Sequence, residues 1–244
     1  MEDLLTLIKT RQSTRGAFDT QRPLSKEDLN KILEAASWAP TPHNMQNYEI
    51  IVVDDEKLLE AIGDIQFAIP RANMEENNLY MSNSEEELRR KKTGIVNRMP
   101  ASVTVQGGNP AEYITSYLKR SLTATSALLV VAYDPAKRAP GSEGDLLGKI
   151  GIGCVMENMW LMAHSLGIGM QIIAAVGYLD GFEKHIKNVL SIPEYFKLVF
   201  SFRLGYPVSS GGNYLRIRRD IEDFTHFNHY GKHSEVLKNV DINN

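Results

Sequence analysis

The chain has 244 residues, 43% of them hydrophobic, with 27 Lys and Arg against 30 Asp and Glu, a formal net charge of -3 at pH 7. A chain of this length buries a large core without metal or disulfide staples, so we expect a single domain over residues 1–244. The slight excess of acid excludes a general nucleic-acid binder, whose basic stripe would dominate the composition, and any anion site must therefore be local.

The cysteine content and the first residues predict the compartment. The single cysteine, Cys154, lies in an apolar stretch and is expected to be a small buried hydrophobe rather than a reactive thiol. One cysteine forms no intramolecular disulfide, which indicates a reducing compartment. The first residues, MEDLLTLIKTRQ, have neither the basic region nor the apolar core of a signal peptide. We therefore expect a cytoplasmic protein.

The first candidate ligand-binding cluster follows a short helix predicted from the leucines and isoleucine of residues 4–8. It reads Arg11-Gln-Ser-Thr-Arg15-Gly16, in which two cations flank two hydroxyls. Guanidinium groups, hydroxyls and the backbone N–H groups of a turn all match phosphate oxygens. The alternative is the basic end of a solvated helix, where cations are common.

The second candidate cluster is a loop of prolines and amides. Ser25 is a natural N-cap, with Asp28 as its capping-box partner, for a helix that ends near Trp38. The loop Pro40-Thr-Pro-His-Asn-Met-Gln-Asn47 follows it. The amides of Asn44 and Gln46 both donate and accept hydrogen bonds, which suits the polar edge of a planar heterocycle. The alternative is an ordinary turn in which these side chains bind their own backbone.

The middle of the chain alternates between predicted elements and an irregular segment. We predict a strand over 48–53, a helix over 55–65, a helix near 113–121, a strand over 127–133 and a linker over 137–144. Residues 66–112 lose periodicity, which indicates a lid or an inserted subdomain. The charged run 85–92 within that segment is typical of a solvated helix face.

Residues 149–170 are apolar nearly all round, which predicts a central helix covered on every side. Glu157, Asn158 and His164 interrupt the run and argue against a membrane span. The glycines of Gly151-Ile-Gly153 are not a dinucleotide fingerprint, because Met156 stands where that motif needs a third glycine and no strand directly precedes it. We interpret them as the start of the helix.

The small apolar residues 171–177 either form a short core strand or let a flat ring approach the backbone. A helix capped by Asp180 and Glu183 follows, and then a strand over 196–204 that ends at Gly205-Tyr-Pro207.

The tail contains a second cationic cluster, Arg216-Ile-Arg218-Arg219, which could meet the first cluster at one phosphate or form a surface patch. The aromatic residues of 224–230 are expected to pack on a partner subunit. The tail histidines His226, His229 and His233 lack a supporting cysteine or carboxylate, so no metal site is predicted. The HExxH, CxxC and GxSxG motifs are absent, and no catalytic nucleophile is identified.

The ordered set of motifs resembles the flavin-dependent nitroreductases. It consists of the Arg11–Arg15 cluster, the Ala39–Gln46 loop, Leu166-Gly-Ile-Gly169, Leu204-Gly-Tyr-Pro207 and Arg216-Ile-Arg218. The resemblance implies an α+β fold with a central, mostly antiparallel sheet flanked by helices. It also implies an intertwined homodimer, with the long helix at the interface, FMN between the subunits and the tail 213–244 exchanged.

The same resemblance implies the flavin contacts. The FMN phosphate and ribityl chain would lie against Arg11, Gln12, Ser13, Arg15, Arg216 and Arg218. The other subunit would contribute Pro40, Thr41, Pro42, Asn44 and Gln46. Along the isoalloxazine ring would lie Ile173, Ala174 and Ala175, which present backbone to its edge. The chemistry belongs to the flavin N5, so the lack of a protein nucleophile is expected.

The implied activity is a ping-pong transfer from NADH or NADPH through FMN to a nitroaromatic, a quinone or a similar small acceptor, with no nucleic acid or membrane involved. Two alternatives stay open: another reaction of this superfamily, such as dehalogenation, flavin reduction or flavin consumption, and a flavin-binding dimer without turnover. The chain departs from the family in reading Gln46-Asn47-Tyr48 instead of Gln-Pro-Trp. It also reads Ala174-Ala175 where many members place an acidic residue and a glycine.

Overall fold

The structure is a computed structural model that describes residues 3–65, 83–92, 110–142, 144–177, 181–208 and 216–233, with the side chains of 110–115 left out. The chain divides into two compact units. One comprises Met1–Ala68 and Ile114–Gly211, and the other comprises Ile69–Tyr113 and Gly212–Asn244. The predicted insertion and the predicted tail therefore belong mostly to the same unit.

The described residues form seven α-helices, four strands and three 3-10 turns. The helices are α1 (Leu4–Thr10), α2 (Lys26–Ser37), α3 (Glu56–Gly63), α4 (Glu85–Arg90), α5 (Pro110–Thr123), α6 (Leu146–Ser165) and α7 (Phe182–Leu190). The strands are β1 (Tyr48–Val53), β2 (Ala127–Tyr133), β3 (Gly169–Ile173) and β4 (Lys197–Gly205). The 3-10 turns are Pro42–Asn44, Ala174–Gly177 and Ile221–Asp223.

The four strands form one antiparallel sheet in the order β1-β2-β4-β3. All seven residues of β2 are buried, because the strand has a neighbour on each side and a packed layer on each face. A register shift between Val131 and Ala132 bends the β2-β4 pair. The predicted α+β class with an antiparallel sheet flanked by helices is confirmed.

The core has two layers, one on each face of the sheet. Alternate residues of β2 separate between them: Leu129 and Val131 pack with α2 and α6, and Leu128 and Val130 pack with α3, α5 and α7. This division follows from the two-residue period of a strand. Each of these side chains is fully buried, which stabilises the fold by roughly 1.5–3 kcal/mol per side chain.

Helix α6 differs from its prediction at its beginning and in its burial. It begins at Leu146, so Gly151 and Gly153 lie inside it, and the expectation that they start the helix is wrong. Its side chains at Ile152, Val155 and Met159 join the core, but Ile150 is 55% exposed. The described part of the chain therefore covers only part of the helix. It is the one described helix long and apolar enough to cross a membrane, a property that core helices share.

The caps of two further helices were predicted, with different outcomes. The Ser25 hydroxyl accepts a hydrogen bond from the Asp28 N–H at 3.0 Å, which confirms this N-cap, and the Asp28 carboxylate accepts one from the Tyr206 hydroxyl at 3.3 Å. Helix α7 instead begins after Gly181, in the left-handed region at φ 76°. Asp180 lies outside the described residues. The Glu183 carboxylate accepts a hydrogen bond from the Leu198 N–H at 3.2 Å.

The second unit contains the charged run 85–92. Helix α4 begins with a capping box between Ser84 and Glu87, and most of the helix is exposed, as predicted for a solvated face. Lys92, just beyond its end, lies 2.6 Å from a carboxylate oxygen of Asp220 and 2.5 Å from one of Asp223. The two carboxylates raise the pKa of the Lys92 ammonium. This contact joins the predicted insertion to the tail.

Two facing glycines make a slot at one end of the sheet. Gly169 of β3 pairs with Gly205 of β4, and Phe18 lies against both. A Cβ on Gly205 would lie 2.8 Å from the Cβ and Cγ of Phe18, and one on Gly169 would lie 2.7 Å from its Cε1. Glycine is required at both positions for the N-terminal segment to pack on the sheet.

We expect Gly205→Ala to lower the free energy of unfolding by about 1–3 kcal/mol, because the buried Phe18 ring must move to admit the methyl group. The matched control is Gly153→Ala, whose Cβ would meet no atom within 4 Å. It is expected to raise the free energy of unfolding by up to about 1 kcal/mol through helix propensity. Denaturant unfolding of both variants measures the difference, and equal stabilities would contradict the slot.

Candidate functional site

The first cationic cluster lies on the edge of the sheet, after α1. The Thr14 N–H donates to the Met170 carbonyl of β3 at 2.9 Å, and the Thr14 side chain is buried. Arg11, Ser13 and Arg15 are each half-buried around this anchor. We call residues 11–16 the anion segment, because its two guanidinium groups and its hydroxyls are the donors that suit a phosphate.

Helix α6 holds the beginning of the anion segment. The indole Nε1 of Trp160 donates to the Gln12 carbonyl at 3.3 Å, and the Arg11 guanidinium lies 4.6 Å from the centre of the Trp160 ring. The Nε of Arg11 lies 3.2 Å from a carboxylate oxygen of Glu157. Arg11 is thus oriented by a carboxylate and an aromatic face. One turn further along α6, His164 is hydrogen bonded to Thr10 at 3.0 Å.

Strand β4 holds the other end of the anion segment through Arg203, which is only 3% exposed. Its guanidinium donates to the carbonyl of Thr14 at 3.4 Å and to that of Gly16. The same group lies 4.3 Å from the centre of the Phe18 ring. A buried cation therefore binds the segment from the protein interior.

The amide loop, residues 40–47, has a strained backbone. His43, Asn44 and Gln46 have positive φ of 51°, 51° and 43°, a region that non-glycine residues rarely adopt. The Thr41 hydroxyl accepts a hydrogen bond from the Gln46 N–H at 3.2 Å, and the Gln46 amide donates to the Asn44 side-chain oxygen at 3.1 Å. Asn44 keeps a donor and Gln46 keeps an acceptor. Strain of this kind is typical of ligand-binding loops.

Two glycines of α6 let the amide loop pack closely against the helix. A Cβ on Gly151 would lie 3.3 Å from side-chain atoms of both Thr41 and Pro42, and one on Gly148 would lie 2.7 Å from the amide nitrogen of Asn47. From the other side, the Lys137 ammonium donates to the Gln46 carbonyl at 3.2 Å. These contacts explain Gly148 and Gly151, which leave space for the neighbouring loop.

A small cavity lies behind the amide loop. Its volume is about 10 Å³ and its lining includes Pro42, Met45, Asn47, Lys137 and Gly148. That volume is about the size of one water molecule, so the cavity cannot hold an organic cofactor. The Asn47 side chain is buried, and its oxygen has no hydrogen-bond partner in the described part of the chain.

The third set of predicted flavin contacts, Ile173, Ala174 and Ala175, lies at the end of β3. The predicted strand 171–177 is instead split, because β3 ends at Ile173 and a 3-10 turn occupies Ala174–Gly177. Ala175 and Val176 are buried, whereas Ala174 is exposed. The exposed Ala174 thus offers a ligand a small side chain.

Within one chain, some of the predicted flavin-contact sets lie together and others lie apart. The anion segment contacts β3 directly, through Thr14 and Met170. The amide loop packs at Gly151, nine residues along α6 from Trp160, which places the two contacts about 13 Å apart along the helix. Arg216 and Arg218 are exposed and belong to the second unit, so their position near the phosphate stays a prediction.

The tail histidines make ring contacts with their neighbours. The His226 ring lies 4.4 Å from that of Tyr230 and 4.9 Å from that of His233, and the His233 Nδ1 is 3.1 Å from the Thr225 carbonyl. Within the ranges that the structure describes, no group of three or more His, Cys, Asp or Glu side chains could hold a metal ion.

A buried tyrosine joins the end of β2 to the start of α6, next to the amide loop. The Tyr133 hydroxyl donates a short hydrogen bond to the Asp145 carboxylate. Burial, together with this carboxylate, raises the pKa of the Tyr133 hydroxyl. The hydroxyl and then Lys149 lower the pKa of the Asp145 carboxyl from its usual 3.8. This bond closes the loop that carries Lys137.

Sequence reasoning missed the residues that hold the site from behind. Trp160 and Glu157 were assigned to a core helix, and Arg203 was not singled out. A signal for Arg203 existed, because it is the one charged residue in the interior of the strand KLVFSFRLG. No comparable signal marked Glu157, whose partner Arg11 lies far away in the sequence.

The chain is similar to known proteins in sequence and in fold. A sequence model described as the Nitroreductase family matches residues 8–206. An NADPH-dependent oxidoreductase of Staphylococcus aureus (strain USA300) is 25% identical over 235 residues, which are 96% of this chain and 77% of the relative. Its counterpart in strain N315 is 25% identical over 230 residues, 94% of this chain and 75% of the relative.

Solved structures share the fold. An FMN-dependent nitroreductase from Clostridium difficile R20291 has a TM-score of 0.58 at 20% identity, covering 93% of this chain and 100% of that one. Iodotyrosine deiodinase, bound to FMN and 3-iodo-L-tyrosine, has a TM-score of 0.59 at 20% identity, covering 92% and 100%. At this identity the likeness establishes the fold alone.

We expect Tyr133→Phe to lower the free energy of unfolding by about 1 kcal/mol at neutral pH, a modest value because water screens the exposed carboxylate. The folded-state pKa of Asp145 is below its unfolded value of 3.8, so the bond contributes fully above that pH and is lost as the pH falls through the folded pKa. Denaturant unfolding at several pH values measures this loss.

The matched control is Tyr195→Phe, at a tyrosine that is 60% exposed, and it should leave the stability unchanged. If the difference between Tyr133→Phe and the wild type persisted at a pH far below 3.8, the carboxylate would not be the partner that matters.

Proposed function

The chain belongs to the Nitroreductase family, and we propose that it is an FMN-dependent oxidoreductase that takes electrons from NADPH or NADH and passes them to a nitroaromatic, a quinone or a similar small acceptor. The observation that carries the proposal is the anion segment. Its guanidinium groups and hydroxyls lie beside the end of β3, and its contacts to Trp160 and Arg203 hold it in place.

The residues present fit FMN. Arg11, Ser13 and Arg15 offer two cations and a hydroxyl to a phosphate. The donor on Asn44 and the acceptor on Gln46 match the pyrimidine edge of the flavin, which carries both carbonyl oxygens and an N–H. The small side chain of the exposed Ala174 leaves room for a flat ring. When bound, FMN supplies the chemistry by accepting a hydride from the donor and returning two electrons to the acceptor.

In this proposal, the residues of the chain bind FMN and orient its ring. The arginines neutralise the phosphate, with Gln12 completing the segment and Arg216 and Arg218 contributing from the tail. The amides of the loop orient the ring. At the end of β3, Ile173, Ala174 and Ala175 present backbone rather than charged side chains. Because Ala174 carries no carboxylate, it adds no negative charge beside the ring.

We also propose that the site is completed by a homodimer. The amide loop and the anion segment of one chain contact α6 about 13 Å apart, which suits a loop that serves the partner's flavin rather than its own. The half-buried and exposed apolar side chains of α6, among them Ile150 and Met156, give a second subunit a surface to cover. The tail 213–244 would embrace the partner, and the compartment would be the cytoplasm.

The proposed function is tested by the visible absorption spectrum of the purified protein. We expect flavin bands that bleach under anaerobic NADPH or NADH and return when a nitroaromatic or a quinone is added. Bands that no nicotinamide bleaches would indicate a binding protein without turnover, and re-oxidation by halogenated aromatics alone would favour dehalogenation. A protein that stays colourless when FMN is added would refute the proposal.

The phosphate contacts are tested by Arg11→Ala and Arg218→Ala, each of which is expected to weaken FMN binding by roughly 1.5–3 kcal/mol. Arg89→Ala is the control, because Arg89 pairs with Glu85 on the exposed face of α4, 2.8 Å away. Fluorescence titration of the apoprotein with FMN gives the affinities. Unchanged affinity in both variants would remove the arginines from the site.

A further inference from the structure

Arg203 has contacts that stability alone does not explain. It lies in β4, the third strand of the sheet, with Leu204 and Phe202 as fully buried neighbours in the chain. Placing a guanidinium there is expensive unless its donors are used. One terminal nitrogen of Arg203, Nη2, donates to the carbonyls of Thr14 and Gly16 in the anion segment.

Three carbonyls of the anion segment accept hydrogen bonds from buried side chains. Trp160 donates to the carbonyl of Gln12, and Arg203 donates to those of Thr14 and Gly16. The Thr14 N–H donates to the Met170 carbonyl. The backbone of the segment is therefore held at four points, two of them by Arg203.

Packing contacts with Phe18 and the next strand fix the position of Arg203. The Phe18 ring lies between the Arg203 guanidinium and the glycine slot of Gly169 and Gly205. The guanidinium is 4.3 Å from the centre of this ring. The next strand places Gln171 opposite Arg203, and the Gln171 amide donates to the Tyr117 hydroxyl at 2.8 Å. A guanidinium held in this way keeps a fixed positive charge directly beneath the anion segment, where screening by water is weak.

We propose that Arg203 is a positioning residue for the cofactor phosphate: it holds the anion segment through the carbonyls of Thr14 and Gly16 and adds a buried positive charge behind them. This inference rests on the proposed function, because it takes FMN as the ligand. Arg203 itself does not touch the ligand. Its charge favours the phosphate-bearing flavin over riboflavin, the same ring system without the phosphate.

Two variants separate the charge of Arg203 from its hydrogen bonds. Arg203→Gln removes the charge and, with its shorter side chain, both carbonyl contacts, whereas Arg203→Lys keeps the charge but cannot reach both carbonyls. Apoproteins are titrated with FMN and with riboflavin by fluorescence. For Arg203→Gln we expect about a tenfold loss of FMN affinity with riboflavin affinity within about twofold of the wild type. For Arg203→Lys we expect FMN affinity within about threefold.

The control is Arg89→Gln, at the exposed arginine of α4, which should alter neither affinity. Equal losses of FMN and riboflavin in Arg203→Gln would overturn the proposal, because they would indicate a general structural defect. A loss of FMN affinity in Arg203→Lys equal to that in Arg203→Gln would overturn the role of the charge. If the glutamine variant does not fold, the lysine variant gives the FMN-to-riboflavin comparison alone.

Hydrogen exchange of the ligand-free protein adds a readout that does not depend on FMN. We expect faster exchange at the Thr14 amide in both variants, because the carbonyls of Thr14 and Gly16 lose their donors. Unchanged exchange would overturn the positioning role. A wild-type protein that binds neither flavin would refute the proposed function instead, while the exchange comparison would still decide whether Arg203 holds the segment.

Discussion

The packing of α6 against α2 and the sheet is the constraint on which the candidate site depends. The helix contacts the amide loop near its beginning, at Gly148 and Gly151, and the anion segment near its end, at Glu157 and Trp160. Both candidate segments are irregular backbone with few hydrogen bonds of their own. A rigid helix gives each of them a fixed surface, and so fixes the distance between them.

The backbone of both candidate segments is held by side chains from elsewhere in the chain. In the anion segment, Trp160 and Arg203 donate to the carbonyls. In the amide loop, three residues have left-handed backbone, and Lys137 donates to the Gln46 carbonyl. Strained or polar backbone of this kind persists only where the surrounding structure compensates for its cost. The glycines of α6 and of the slot make that close approach possible.

Electrostatics in this chain is local rather than global, as its near-neutral balance required. Arg11 lies beside Glu157, so a phosphate that binds Arg11 must compete with a carboxylate that is 39% exposed. Arg203 has different surroundings, because its guanidinium donates to carbonyl groups and not to the Glu157 carboxylate. The two arginines therefore serve an anion differently, one by contact and one from beneath. Sequence composition cannot distinguish Arg11 from Arg203, because it counts charges without their partners.

The sequence by itself determined the class of the fold and most of the helices and strands, and it singled out the candidate segments, because apolar period, caps and short motifs are local properties. It misplaced the start of α6, since nothing local distinguishes glycines that begin a helix from glycines that seat a loop. The tertiary structure alone decided that Arg203, Trp160 and Phe18 support the anion segment. Those contacts join residues more than a hundred positions apart, and only the folded sheet and helix bring them within reach.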